Sequence, residues 1–157
     1  MTEPLLRTAV ERDLEGMSAL WYEHAALLAQ QDARWVLLPN ARSAWESAVR
    51  SWLGDTEVCI LVVEEADSLT GYIVGALQTP PPGFSPVAIG VVRSLAVDAH
   101  RHSAGTARLL LGGAREWFRQ RGVTQIAVDV PKRAAIEQAF WRAQNGVPWM
   151  ERLWIPS

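Results

Sequence analysis

The run Val58-Cys59-Ile60-Leu61-Val62-Val63 constrains the fold most. Six consecutive β-favouring apolar residues leave no polar face, so this strand must be covered on both sides. The chain around it has to supply those covers. Before the run, Leu14, Met17, Leu20, Trp21, His24, Leu27 and Leu28 recur at helical spacing. A second helix is read at Ser43-Ala-Trp-Glu46, taken as a capping box, with Trp45, Ala48, Val49, Trp52 and Leu53 on its apolar stripe and Gly54 as its stop. After the run, Glu64-Glu-Ala-Asp-Ser68 is a polar turn, and Leu69 to Leu77 a strand that completes a hairpin. Thr79-Pro-Pro-Pro-Gly-Phe-Ser-Pro86 can be neither helix nor central strand; it is an ordered loop.

Val87 to Val97 reads as a third long strand. A helix runs from Gly105 to Arg121, with Ala107, Leu110, Leu111, Ala114, Trp117 and Phe118 on one side and arginines on the other. Ile126 to Val130 is a strand, Ala134 to Ala143 a helix, and Trp149 to Ile155 a final strand. Leu5 to Val10 is a short opening strand. The expectation is a mixed α/β (α+β) fold, a mostly antiparallel twisted sheet of about six to seven strands with about four helices, in one domain over residues 1–157.

Composition excludes several classes. The single cysteine, Cys59, rules out a disulfide framework, and its apolar setting makes it inert core. A net charge of −2 argues against a nucleic-acid partner. No apolar run is long enough for a membrane span, and the opening MTEPLLRTAVERD places acids where a secretory signal would be basic and apolar. A soluble cytoplasmic protein is expected. His100 and His102 lack a third ligand, so no metal is expected.

The informative stretch is the turn between the third strand and the helix, His102-Ser103-Ala104-Gly105-Thr106-Ala107, flanked by Arg101 and Arg108. Unpartnered N–H groups and the macrodipole at a helix start favour an anion, and small residues let a phosphate approach the backbone. A P-loop is excluded because the stretch has no lysine, and a dinucleotide fingerprint because its glycine spacing is absent.

Leu95-Ala-Val-Asp-Ala-His-Arg-His-Ser-Ala-Gly-Thr-Ala-Arg-Leu-Leu-Leu111 resembles the coenzyme A signature of the GNAT N-acetyltransferases. That signature has a strand ending in apolar-x-Val and, five residues on, Arg/Gln-x-x-Gly-x-Gly/Ala; here Val97, His102, Gly105 and Ala107 fill it. The resemblance covers the whole chain and matches the element order above. It implies an acetyl-CoA-dependent N-acetyltransferase acting directly on a primary amine, without a metal. Under it, the backbone of Leu95, Ala96 and Val97 pairs with the pantetheine arm, and His102, Ser103, Ala104, Gly105, Thr106, Ala107 and Arg108 hold the pyrophosphate. It also implies that the third strand and the strand at Ile126 splay apart.

The chain departs from the family in carrying His102 for Arg or Gln, Trp141 where a tyrosine is common, and no helical asparagine in the last helix. Candidates for proton transfer are Ser94, Tyr72 and Glu64, with Glu65 beside it; Asp32 and Arg34 fall where family members line the acceptor site. Trp149 and Trp154 on the terminal strand mark where a homodimer would form. The alternative is a non-catalytic acyl-CoA-binding or protein-interaction module on the same fold.

Overall fold

The computed structural model describes residues 2–101 and 103–157. In chain order the elements are β1 (Leu5–Thr8), a turn of 3-10 helix (Glu11–Asp13), α1 (Leu14–Gln31), α2 (Ala41–Trp52), β2 (Val58–Glu65), β3 (Ser68–Gln78), β4 (Ile89–Val97), α3 (Ser103–Arg119), β5 (Ile126–Val128) and α4 (Ala135–Ala143). The strands form one sheet in sequence order. Every neighbouring pair is antiparallel except β4 and β5, which run parallel with α3 as the crossover.

The run at Val58 has the two covers it requires. Ile60 and Val62 of β2, with Tyr72 and Val74 of β3, pack under α1 and α2 against Leu14, Met17 and Val49. Val63, Ile73 and Val92 pack on the opposite face against Leu110, Leu111, Ala114 and Phe118 of α3. Phe118 fits a slot made by two glycines. A Cβ added at Gly75 or at Gly90 would stand 2.9 Å from its ring. Gly71 likewise lets the first turn of α3 sit directly on β3, where an added Cβ would meet Thr106 Cγ2 at 2.8 Å. Among the described residues no helix is long and apolar enough to cross a membrane.

Three expectations are corrected. Among the described residues the sheet has five strands rather than about six to seven, and residues 149–155 form no strand. That segment, Trp149-Met-Glu-Arg-Leu-Trp-Ile155, is rich in apolar side chains but pairs with no strand among the described residues. The second helix starts at Ala41 after Asn40, so Ser43 and Glu46 make no capping box. Ser43 Oγ donates back to the Asn40 carbonyl (3.0 Å), while Glu46 accepts a hydrogen bond from Ser18 of α1 (2.5 Å). Strand β5 ends at Val128, two residues short of the expected Val130, and this shortening shapes the site.

One ion cluster ties β1, β2 and the start of α1. The Arg7 guanidinium donates to both Asp13 oxygens (2.7 and 2.9 Å) and to Glu64 Oε2 (2.7 Å). Burial pushes the Asp13 carboxyl up, but the Arg7 bonds and the Val10 N–H (2.8 Å) outweigh it, leaving the group below the usual carboxylate range. A depressed carboxyl contributes stability above its unfolded value of about 3.9, lost as pH falls through the lower folded value. Asp13→Asn should therefore cost about 1–3 kcal/mol at neutral pH. The gap to wild type should close on acidification below pH ~4. Urea melts from pH 7 down to pH 3 measure it; a gap that does not change over that range contradicts the assignment.

Candidate active site at the fork between β4 and β5

The parallel pairing of β4 with β5 runs from Gly90↔Ile126 to Val92↔Val128 and stops there, while β4 continues to Val97. A fork opens beyond Val92. The register of β4 with β3 jumps at the same level, from Ser94↔Val74 to Val92↔Gly75, which leaves Arg93 as an extra, bulged residue. The Arg93 guanidinium lies 4.8 Å from the Trp52 ring centroid, anchoring the bulge to α2.

Beyond the bulge the backbone of β4 has a definite polarity. The Asp98 N–H donates to the Thr70 carbonyl at 2.8 Å. In an antiparallel ladder alternate residues turn their polar groups to the same partner. Ala96 therefore faces β3, and Leu95 and Val97 present their N–H and C=O groups to the fork. The pairing with β5 ends before this point, so two of the three residues named by the resemblance, Leu95 and Val97, turn their ladder groups to a side where β5 does not reach. Ala96 is buried and gives its backbone to β3.

At the end of the fork stands the N-terminus of α3. Gly105 is exposed, and a Cβ built on it meets nothing within 4 Å. Thr106 packs on Gly71, Ala107 is buried against the sheet, and Arg108 is exposed. The turn thus roots its helix with two side chains and leaves Gly105 open. His102 lies outside the described residues, as do the side chains of Ser103 and Ala104. The open helix start and the free ladder groups of Leu95 and Val97 suit a diphosphate joined to an amide-bearing arm, so the residues present fit coenzyme A.

The face of the sheet under α1 and α2 carries the polar pair. Tyr72 is fully buried, and its Oη lies 2.7 Å from Ser94 Oγ. Burial raises the Tyr72 phenol well above its ordinary value, and the Ser94 bond offsets this only in part. An aromatic stack holds the phenol in place. Trp45 is 5.3 Å from the Tyr72 ring and 5.4 Å from Trp21. Glu64 is engaged elsewhere, by Arg7 at the end of β2. It borders an open cavity of about 590 Å³ between α1, the β2–β3 turn and the loop after β4, with Asp13, Asp67, Asp98 and His100. Cys59 is buried, and desolvation pushes its thiol up to about 11, so it stays protonated and unreactive.

Asp32 and Arg34 form a pair at the end of α1. Asp32 Oδ1 accepts from the Arg34 N–H and guanidinium, both at 3.0 Å. The Arg34 bonds hold the Asp32 carboxyl below its ordinary range. Asp32 Oδ2 accepts from the Trp154 indole at 3.0 Å. The strand expected at residues 149–155 gives no sign of this contact, because Trp154 lies in an irregular segment. The apolar stripe expected on α1 likewise gives no sign of a contact at His24. His24 is half-buried, and its Nδ1 stands 3.6 Å from Glu137 on α4. A polar residue at one position of an apolar stripe was the available signal.

The family model for the GNAT acetyltransferases matches residues 21–146, most of the chain. The chain belongs to the GNAT acetyltransferase family. Solved structures agree on the fold. A mutant of the BH1408 protein from Bacillus halodurans superposes with a TM-score of 0.87 at 19% identity, covering 98% of this chain and 99% of that one. Aminoglycoside 6'-N-acetyltransferase AAC(6')-Ig from Acinetobacter haemolyticus gives 0.76 at 14% identity, covering 98% and 97%. A ribosomal-protein-alanine N-acetyltransferase from Brucella melitensis gives 0.70 at 14% identity, covering 99% of each chain. No curated protein sequence matches this acetyltransferase.

Proposed function

We propose that this acetyltransferase moves the acetyl group of acetyl-CoA directly to a primary amine, in the cytoplasm, with the fork between β4 and β5 as the reaction site. The observation that carries the reading is the free edge of β4 past Val92, ending at the open start of α3. Leu95 and Val97 pair with the pantetheine arm, and the first turn of α3 from Ser103 holds the pyrophosphate. The amine nitrogen attacks the thioester carbon, the C–S bond breaks, an amide forms, and coenzyme A leaves as its thiol. An aminoglycoside antibiotic and a ribosomal-protein alanine are the acceptors named for two structural neighbours, and both are amines.

The residues divide the proton work. A buried phenol that stays protonated must give its hydrogen to an acceptor. Either oxygen can donate across the 2.7 Å contact; we take Tyr72 as the donor and Ser94 Oγ, its one hydrogen-bond partner among the described residues, as the acceptor. Ser94 is then left with its own hydrogen free, and it is the partly exposed member of the pair. Ser94 therefore acts as a donor, toward the tetrahedral oxyanion or the departing sulfur, together with the outward N–H groups of β4. A leaving thiolate with pKa ~8.5 needs little more help, which makes a tyrosine at Trp141 dispensable. Glu64 is held by Arg7 and is not the base. The ammonium proton, from a group of pKa ~10, goes to solvent.

The test is release of coenzyme A thiol that depends on added primary amine. The rate at limiting amine should rise about tenfold per pH unit below the amine pKa, since only the free base attacks. Ser94→Ala should lower kcat about a hundredfold and leave acetyl-CoA affinity unchanged. Tyr72→Phe, which removes only the supporting donor, should cost less. Wild-type kcat in Ser94→Ala would remove the pair from the mechanism. Thiol release indifferent to every amine would favour an acyl-CoA-binding module.

A further inference from the structure

Val92 and Ser94 lie two residues apart on β4 yet face opposite sides of the sheet. Val92 packs against α3, whereas Ser94 pairs with Val74 and meets Tyr72 under α1 and α2. Residues two apart on a regular strand share a face. The extra residue Arg93 reverses this, so the bulge is what brings the Ser94 hydroxyl to the phenol. With the bulge ironed out, Ser94 would turn toward α3. The bulged residue has no cross-strand partner, and its restraint comes from α2 instead. The Arg93 guanidinium stands 4.8 Å from the Trp52 ring centroid. Trp45, two turns earlier on α2 and so on the same face of that helix, lies 5.3 Å from the Tyr72 ring. Both tryptophans pack against the core that holds Tyr72 and Val49. One helix face therefore braces both sides of the Ser94 contact.

We propose that Arg93 is a positioning residue for acetyl transfer: held over Trp52, it fixes the bulge and thereby aims the Ser94 hydroxyl at the reacting centre. The inference rests on the acetyl-CoA reading above. Arginine suits the role because its charge is permanent and its planar guanidinium can lie on an indole while staying hydrated at an exposed position. Such a contact adds little to global stability. At a bulge it selects between two arrangements of one strand, and only one of them puts Ser94 beside Tyr72. Misplacing a reacting group by about 1 Å can cost about a hundredfold in rate. The far end of β4 is anchored separately, by the Asp98 N–H on the Thr70 carbonyl, so Leu95 and Val97 keep their orientation. Helix α2 is thus coupled to the rate and not to acetyl-CoA affinity.

The test separates the two. Arg93→Ala, at an exposed position, leaves the core intact. It should lower kcat for amine-dependent thiol release about tenfold and change the acetyl-CoA Kd less than about twofold. Arg93→Lys keeps a cation for the ring and should lose no more than about threefold. Trp52→Leu should match Arg93→Ala, and the double variant should be no slower than the worse single one. In a Ser94→Ala background, itself about a hundredfold down, Arg93→Ala should cost nothing further. Wild-type kcat in Arg93→Ala, or a loss that persists in full in the Ser94→Ala background, would overturn the positioning role. A loss read in the acetyl-CoA Kd rather than in kcat would do the same. Wild-type kcat in Ser94→Ala, or no amine-dependent thiol release from the unaltered protein, would instead overturn the acetyl-transfer reading at this pair, and this role with it.

Discussion

Gly105→Glu is expected to abolish acetyl-CoA binding in a protein that stays folded. Gly105 is exposed in the first turn of α3, and a Cβ there touches nothing within 4 Å, so the substitution brings no clash. A glutamate near a helix start even complements the macrodipole. The melting temperature should stay at or slightly above the wild-type value. On the proposed reading the same carboxylate would stand where the α3 amides would meet the pyrophosphate, replacing attraction by repulsion and filling the approach with a side chain. The expected loss is at least about a hundredfold in affinity, read by calorimetric titration beside a thermal melt. Wild-type affinity in the folded variant would move the phosphate site away from this turn.

Phe118→Ala is the largest stability change expected, about 3–5 kcal/mol by urea denaturation. The ring is fully buried against Val63, Ile73 and Val92, in a slot that Gly75 and Gly90 leave for it. Two glycines fix the sheet at the shape of one ring, so neighbouring side chains cannot expand into the space. Gly90 also pairs with Ile126 at the closed end of the fork. The variant should accordingly loosen the junction from which β4 and β5 diverge and weaken acetyl-CoA binding as well. A cost below about 1 kcal/mol would mean the site collapses freely and the slot is not rigid.

The parts of the fold visible in the sequence are those written in a long periodic signal. The β2–β3 hairpin, β4 and the stripe from Ala107 to Phe118 each repeat over many residues, and the observed elements agree within a few positions. The tail from Trp149 to Ile155 has a short run of apolar and aromatic residues suited to a strand and is not a strand. Such residue types state that a strand could form, but not whether an edge is there to pair with it. The three residues of β5, with Ala127 exposed, give the tail no such partner. The capping box failed for a related reason. Glu46 has the right spacing from Ser43 but finds Ser18 on another helix, a choice made by tertiary contact rather than by local sequence.

The candidate site was legible in a similarly uneven way. Leu95, Val97 and Gly105 follow from a motif whose physics is local: a strand end, a small turn and a helix start. The Tyr72–Ser94 pair depends on β3 and β4 lying side by side with a bulge at Arg93, and nothing in the spacing of 22 residues announces it. The commitment of Glu64 to Arg7, 57 residues away, is of the same kind. Residues whose roles come from pairing across the sheet are hidden until the register is known.

The most direct test is calorimetric titration of the purified protein with acetyl-CoA, with desulfo-CoA and ATP run alongside. A fork that pairs with the pantetheine arm and a helix start that holds the pyrophosphate should together bind acetyl-CoA with a Kd of about 1–100 μM. Desulfo-CoA should bind comparably and ATP far more weakly, since ATP lacks the arm. Absence of acetyl-CoA binding, or equal binding of ATP, would contradict the account.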